Sequence, residues 1–527
     1  MVATRAAVRR KVAAAAALAA SVSLVAGGCT VANSGRGGYD TDTLRVVIAQ
    51  EPPTLEPCES SLTSTGIVVR SNITEPLIER DPTSGDLTPL LSTGWRQDSP
   101  NRWTFDIREG VTFSNGAPFT AKDAAFAVDR AVNSDLQCNV DGYVFGDEKL
   151  GLETPDDRTL VITTEQPDPI LPLRISFVEI VPRSTSTTEK VREPIGTGPY
   201  AIEDWEYGQK LVLARNATYW GKAPAFGRAE YQWRSEGSVR AAMITNDEAD
   251  IATGLGPEEG AGDLGIPFNN NETTALRIQA TEPPLDDIRV RQAINYSINR
   301  TGIVKALFRG LGEPASQLIP SGVVGYNANL QPSPHDTDRA KQLIAEAKAD
   351  GVPVDKEIRL IGRTAQFPKI AETLEVIQSG LAEIGLNVKI EMMDTAAQLQ
   401  YQLRPFPANT GPYLVMIMHG NQAGDAAFSL DQYVRSTGPQ NAYGTAAFDR
   451  KIDAAEGLTG QARQDALAAL FAEEPKEITQ LAYLAHMQGI LGKSPRVDYT
   501  PNSATGDEMR LAEMTHAAGD TSAPNPS

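Results

Sequence analysis

Six consecutive apolar residues, Tyr413 to Met418, constrain this chain more than any other feature. A strand with no polar alternation has no face to give to water, so it belongs in a sheet covered on both sides. Such a sheet needs helices against it, and the rest of the sequence supplies both elements in turn. Leu44 to Ala49 is a short apolar run closed by Glu51-Pro52-Pro53 and reads as a buried strand. Trp103, Phe105 and Ile107 alternate with polar neighbours, the pattern of a half-buried strand. Thr120 with Asp123 forms a helix-start signature ahead of Ala124, Ala127 and Val128. Leu160 to Ile162, Leu211 to Leu213, Ile358 to Ile361 and Val388 to Met392 predict further strands. Helices are predicted after the Asp286-Asp287 cap, over Asp338 to Ala349, Ile370 to Ile384 and Gln461 to Ala472. No repeat of 20–50 residues is present, and the fold class is mixed α/β.

The first thirty residues are a separate object. Arg5, Arg9, Arg10 and Lys11 precede an uncharged stretch from Val12 to Ala26, too short to span a bilayer and suited to an export signal. It ends Leu24-Val25-Ala26-Gly27-Gly28-Cys29. Small residues before a cysteine resemble a bacterial lipobox, with Cys29 lipidated as the mature N-terminus, although Ala26 stands where leucine is usual. The alternative is a plain signal peptide cut nearby. The expected division is a signal peptide over 1–28, then a lipid-anchored linker over 29–43 rich in Gly, Ser, Asn and Asp. Arg9-Arg10 leaves Sec and twin-arginine export both open. No other stretch is long and apolar enough to span a membrane. Losing the leader makes the mature chain four charges more acidic than the full sequence, whose net charge is already −19, which excludes a general nucleic-acid binder. Two cysteines then remain, Cys58 and Cys138. In an oxidising compartment they read either as one disulfide or as two buried thiols.

No catalytic constellation emerges. The four histidines, His335, His419, His486 and His516, show no metal-ligand spacing. There is no Gly-x-Ser-x-Gly elbow and no P-loop. Gly196-Thr197-Gly198 is followed by Pro199, which removes a backbone donor where a phosphate would need one. The expectation is a non-enzyme without a cofactor or a metal.

Three blocks carry a family resemblance. The first runs from Thr74-Glu75-Pro76-Leu77 through Trp95 to the hairpin and helix start Gly110-Val111-Thr112-Phe113-Ser114-Asn115-Gly116 and Phe119-Thr120-Ala121-Lys122-Asp123. The second is Gly196-Thr197-Gly198-Pro199-Tyr200 with Asn216-Ala217-Thr218-Tyr219-Trp220. The third is Pro284-Leu285-Asp286-Asp287-Ile288-Arg289-Val290-Arg291-Gln292-Ala293. In this order they resemble the extracytoplasmic solute-binding proteins of family 5, the peptide, nickel and opine group that serves ABC importers. Read as residues, the blocks are mostly structural. Arg289 and Arg291 lie two apart on a helix and are expected on a solvated face rather than at a ligand.

The resemblance implies a periplasmic-binding-protein-like fold of the cluster-C type, two lobes closing about a hinge, with an extra subdomain in lobe one. Lobe one would hold 44–275 plus 490–515, with the extra subdomain at about 58–190. Lobe two would hold 276–489, the crossovers would fall near 275–280 and 487–492, and 516–527 would be a disordered tail. Cys58 and Cys138 both fall in the extra subdomain, which favours their pairing. The implied function is capture of a peptide or peptide-like ligand for an ABC permease and its ATPase, by a monomer held at the outer face of the membrane by lipid. Alternatives are a non-peptide solute (oligosaccharide, glycoside or metal complex), a sensing role, or an extracytoplasmic hydrolase.

Peptide-binding relatives pair the ligand amine with an aspartate just after a buried strand. Here that stretch reads Gly420-Asn421-Gln422-Ala423-Gly424-Asp425, which places Asn421 at the amine position and Asp425 four residues on. Asn offers a dipole and no charge, which weakens the peptide reading unless Asp425 substitutes. Arg363 stands at the place for the ligand carboxylate, and Ser61, Thr63 and Ser64 match the region of lobe one that reaches the ligand. His419 invites a nickel reading but is expected to be a satisfied polar neighbour. Trp205, Tyr207, Trp220, Trp233, Tyr401 and Tyr413 could stack a ring, although most are expected in the core.

Overall fold

The computed structural model describes residues 40–518, apart from 62, 141–143, 147 and 365. The leader, Cys29, most of the linker and the last residues of the tail lie outside the described residues. Among the described residues, no helix is long and apolar enough to cross a membrane.

One eleven-stranded mixed sheet runs through the molecule in the order Val388–Met393, Ile358–Arg363, Tyr413–Gly420, Gly265–Ile278, Leu481–Lys493, Ile251–Ala252, Thr43–Ile48, Arg228–Trp233, Lys210–Arg215, Tyr200–Glu206, with Gly312–Pro314 paired to Leu481–Lys493. The run Tyr413 to Met418 sits inside it, between a parallel and an antiparallel neighbour. Its apolar continuity is a period of two read twice. Leu414 and Met416 enter one core, with Ile294, Leu343 and Leu374. Tyr413, Val415 and Ile417 enter another, with Leu430, Phe448 and Phe471. These two cores build one lobe of the molecule. The other lobe packs Leu44, Val46 and Ile48 with Tyr200, Phe226 and Tyr231, and the chain returns to it through Met509, Leu511 and Met514.

A second sheet of four strands, in the order Ser92–Ser99, Arg102–Ile107, Thr159–Thr163, Gly151–Asp156, has a core of its own around Phe105, Phe113, Leu160 and Ile175. Helix Ala121–Val128 packs there, its start held by Thr120 and Asp123, where Thr120 N donates to Asp123 Oδ2 at 3.1 Å. A Cys58–Cys138 disulfide closes an 80-residue span of this unit. Helix Gly460–Glu477 runs past the predicted end and carries Pro475 within it.

The first two motif blocks converge on one buried carboxylate, Glu75. Thr197 Oγ1, Trp220 Nε1 and Tyr219 Oη donate to Glu75 at 2.8, 2.9 and 3.0 Å. Gly198 passes so near Asn72 that a Cβ there would meet its carbonyl oxygen at 2.5 Å. Arg291 departs from the expected solvated face. It is buried, and its guanidinium donates to the carbonyls of Leu285, Asp286 and Ile478 at 3.0, 2.9 and 3.1 Å, which ties the helix start to the segment before the strand Leu481–Lys493. Arg289 does lie outside, paired with Asp287 and Asp350.

Candidate functional site

Two strands, Gly265–Ile278 and Leu481–Lys493, run from one lobe into the other. Their register breaks where they cross. Asn269 pairs with Gln488 and Thr273 with His486, so three residues bulge from one strand opposite a single residue of the other. Asn271 takes φ 56° there, a conformation asparagine tolerates. The bulge sets Glu272 into the space between the lobes.

That space is a cleft of two adjoining chambers. The larger, about 320 Å³, is walled by Ile67, Leu255, Phe268, Phe367, Met487 and Ile490, with Thr63 and Ser64 at one side. The smaller, about 270 Å³, is polar and presents Ser60, Ser61, Arg70, Asn139, His419, Gln422 and Gln440. Thr63, Glu272, Met418 and Asp507 line both and form the waist. Chambers of this size suit a small ligand.

The waist is acidic. Burial pushes the Glu272 carboxyl up to about 8, repulsion from Asp507 adds to the rise, and Asn270 and Arg363 oppose it. Asp507 is raised for the same first reason, although Thr63 Oγ1 donates to it at 2.8 Å and Gln422 Nε2 donates from the opposite lobe. Behind the waist lies a satisfied charge network. Burial would raise Glu508, but Arg510 and Arg70 beside it and the Ser71 hydroxyl hold it down to about 2.

The residues singled out in the sequence separate into two groups. Ser61, Thr63 and Ser64 lie on the cleft wall. Asn421 and Asp425 do not. Asn421 is buried, and its Nδ2 donates to the carbonyls of Asn271 and Leu318 at 3.0 and 3.3 Å while Oδ1 accepts from Ser429 at 3.1 Å. Every dipole it could offer an amine is engaged in fastening the strand end to the bulge. Asp425 caps the helix Ala426–Tyr433 and receives Arg463 through two hydrogen bonds of 2.8 and 2.9 Å, with the two residues 3% and 4% exposed. Its charge is matched inside lobe two, which corrects the expectation that it meets a ligand ammonium. Arg363, half-buried at the end of Ile358–Arg363, lines neither chamber, yet it lies within electrostatic reach of Glu272 and forms no ion pair among the described residues.

His419 is a satisfied polar neighbour: Nε2 lies 2.7 Å from Ser429 Oγ, the ring packs edge-on to Tyr433, and burial drives its pKa down to about 3. The Ser429–His419 pair resembles a nucleophile and its base, but Ser429 is 2% exposed and lines neither chamber. Among the described residues no group of three or more His, Cys, Asp or Glu could hold a metal ion. The six candidate stacking rings lie elsewhere, with Trp205 donating to Glu51 and Tyr413 in the core. The rings that do line the chambers are Phe177, Phe268, Phe367 and the His419 imidazole. Sequence reasoning missed Glu272 and Asp507. The signal was Asn269-Asn270-Asn271-Glu272, a polar interruption in an otherwise strand-forming segment.

The geometry has counterparts among known proteins. The chain is 27% identical over 408 residues to the glutathione-binding protein GsiB of Salmonella typhi, covering 74% of this chain and 76% of that protein. It is 28% identical over 351 residues to the dipeptide-binding protein of Escherichia coli, covering 60% and 65%. The fold superposes with a TM-score of 0.75 on the ABC transporter-associated periplasmic binding protein DppA from Helicobacter pylori in complex with peptide STSA, at 20% identity over 90% of this chain and 98% of that one. Two lobes on a mixed α/β frame, a cleft between them, and a match of residues 86–441 to the model described as bacterial extracellular solute-binding proteins, family 5 Middle, lead to one conclusion: this chain belongs to that solute-binding family.

Proposed function

We propose that this chain is the extracytoplasmic solute-binding component of an ABC importer, and that it encloses a peptide or peptide-like ligand between its lobes for delivery to a permease. The observation that carries the reading is the cleft: a partly open, mostly apolar chamber joined at an acidic waist to a polar one, at the place where two strands cross between lobes. Relatives named for binding glutathione and a dipeptide support a ligand of that size and chemistry. Ser61, Thr63 and Ser64 contribute hydroxyls, Arg363 stands outside both chambers and would reach a ligand carboxylate only if closure brings it in, and Cys29 carries the lipid that holds the protein outside the membrane beside the permease and ATPase.

Native mass spectrometry of protein purified without refolding, followed by calorimetry with a pool of di- to pentapeptides, tests this. The expected result is a co-purified or titrated peptide bound one to one. Clear binding of an uncharged glycoside with no peptide binding would overturn the peptide assignment and leave solute capture standing.

A further inference from the structure

We infer that the cleft selects a compact ligand bearing an ammonium beside an apolar group, and that the ammonium is received between Glu272 and Asp507. This rests on the solute-binding reading and specifies which solutes it admits.

The two carboxylates belong to segments far apart in sequence. Glu272 comes from the hinge bulge and Asp507 from the returning C-terminal segment, and both line both chambers. Neither forms an ion pair among the described residues. Among the described residues, Asp507 accepts from Thr63 and Gln422, both neutral. Glu272 Oε2 accepts from Asn270 Nδ2 at 2.6 Å, and Oε1 accepts no hydrogen bond among the described residues. Arg70 lines the polar chamber and eases Asp507 through space, but its guanidinium pairs with Glu179 and Glu508, and Arg510 pairs with Glu508, Glu79 and Glu513. Arg363 moderates Glu272 without lining either chamber.

Two carboxylates lining one narrow waist repel, and the cheapest relief without a ligand is to keep a proton. A ligand ammonium takes the place of that proton and is attracted by both carboxylates. An anion would have to face both. The apolar chamber beside the waist fixes the rest of the ligand, since Phe268, Phe367 and Met487 have no partner for a polar group there and gain from covering an apolar one. The stretch after Tyr413–Gly420 cannot supply the negative charge, because Asn421 has none and Asp425 is matched by Arg463.

The test is titration calorimetry at neutral pH with leucyl-phenylalanine amide, a cation, and N-acetyl-leucyl-phenylalanine, an anion of the same apolar content. The amide is expected to bind about thirtyfold or more tightly than the acetyl compound, and Glu272→Gln and Asp507→Asn are each expected to remove a similar factor for the amide only. Binding of the amide should also release a proton, seen as a dependence of the measured heat on buffer ionisation enthalpy. Equal binding of the two probes to the wild type, a comparison that needs no variant, overturns the inference. So does an amide affinity unchanged in both folded variants. If scattering shows lobe closure only with uncharged or anionic solutes from a mixed library, the cation inference falls and solute binding stands. If no solute closes the lobes, the solute-binding reading itself falls.

Discussion

Asp425 follows the buried strand Tyr413–Gly420 and Glu272 lies on the neighbouring strand opposite Gly420, and their surroundings give these two carboxylates opposite roles. Asp425 meets a guanidinium that approaches from 38 residues further along the chain, and the pair is sealed from water. Replacing it with asparagine leaves Arg463 buried without its counter-charge, at a cost of about 3–5 kcal/mol. Asp425→Asn is therefore expected to lower the denaturant midpoint strongly and leave the ligand affinity of the folded protein unchanged. A variant of wild-type stability with weakened binding would return Asp425 to the cleft. The local sequence could nominate Asp425 and Asn421, because both follow a legible strand. It could not show Arg463 arriving, since an ion pair across that separation leaves no trace in either neighbourhood. Glu272 was illegible for the same reason in reverse: its importance lies in the partner it lacks.

Among the elements, the strand Tyr413–Gly420 was readable because burial on both faces removes polar alternation from the sequence itself. The crossing strands were less so, since the bulge that aims Glu272 depends on which residues the partner strand sets opposite it. Another crossing contact lies away from the cleft. Arg80, from the strand Ile78–Arg80, donates through Nη2 to the carbonyl of Gly322 at 2.9 Å in the opposite lobe and lies against Gly424. Gly424 has φ 72°, and a Cβ there would overlap the Arg80 guanidinium. Arg80→Ala and Gly424→Ala are both expected to shift the lobes toward an open arrangement, measured as a larger radius of gyration without ligand and a faster ligand off-rate. Wild-type dimensions in both variants would show that this contact does not help hold the lobes together. Gly424 was visible in the sequence only as a turn residue.

For the whole molecule, buried carboxylates set the pH response. Burial raises Glu272 to about 8 and Glu75, Glu179 and Glu474 to about 7, against an ordinary value of 4.5. Between those limits the folded chain holds more protons than the unfolded one, so stability falls as pH rises. Glu508 acts the other way: its contribution is complete above 4.5 and is lost as pH falls toward 2. Buried His419 and His486, lowered to about 3 and 4, oppose this below the ordinary histidine value of 6.5, so the melting temperature of the unliganded protein should decline from about pH 6.5 to pH 8 as the four carboxyls ionise. A flat or rising melting temperature over that range would contradict it. The sequence by itself determined the α/β class, the ordered motif blocks and the absence of familiar catalytic motifs, because each is written in neighbouring residues through periodicity, turn chemistry and spacing. Only the tertiary structure decided that Asp425 is matched and Glu272 is not, that Arg291 is buried on carbonyls, and that Phe367 rather than a tryptophan lines the cleft. Those outcomes depend on which distant side chains arrive at each charge or ring, and charge compensation and burial are properties of the packed neighbourhood rather than of the chain segment.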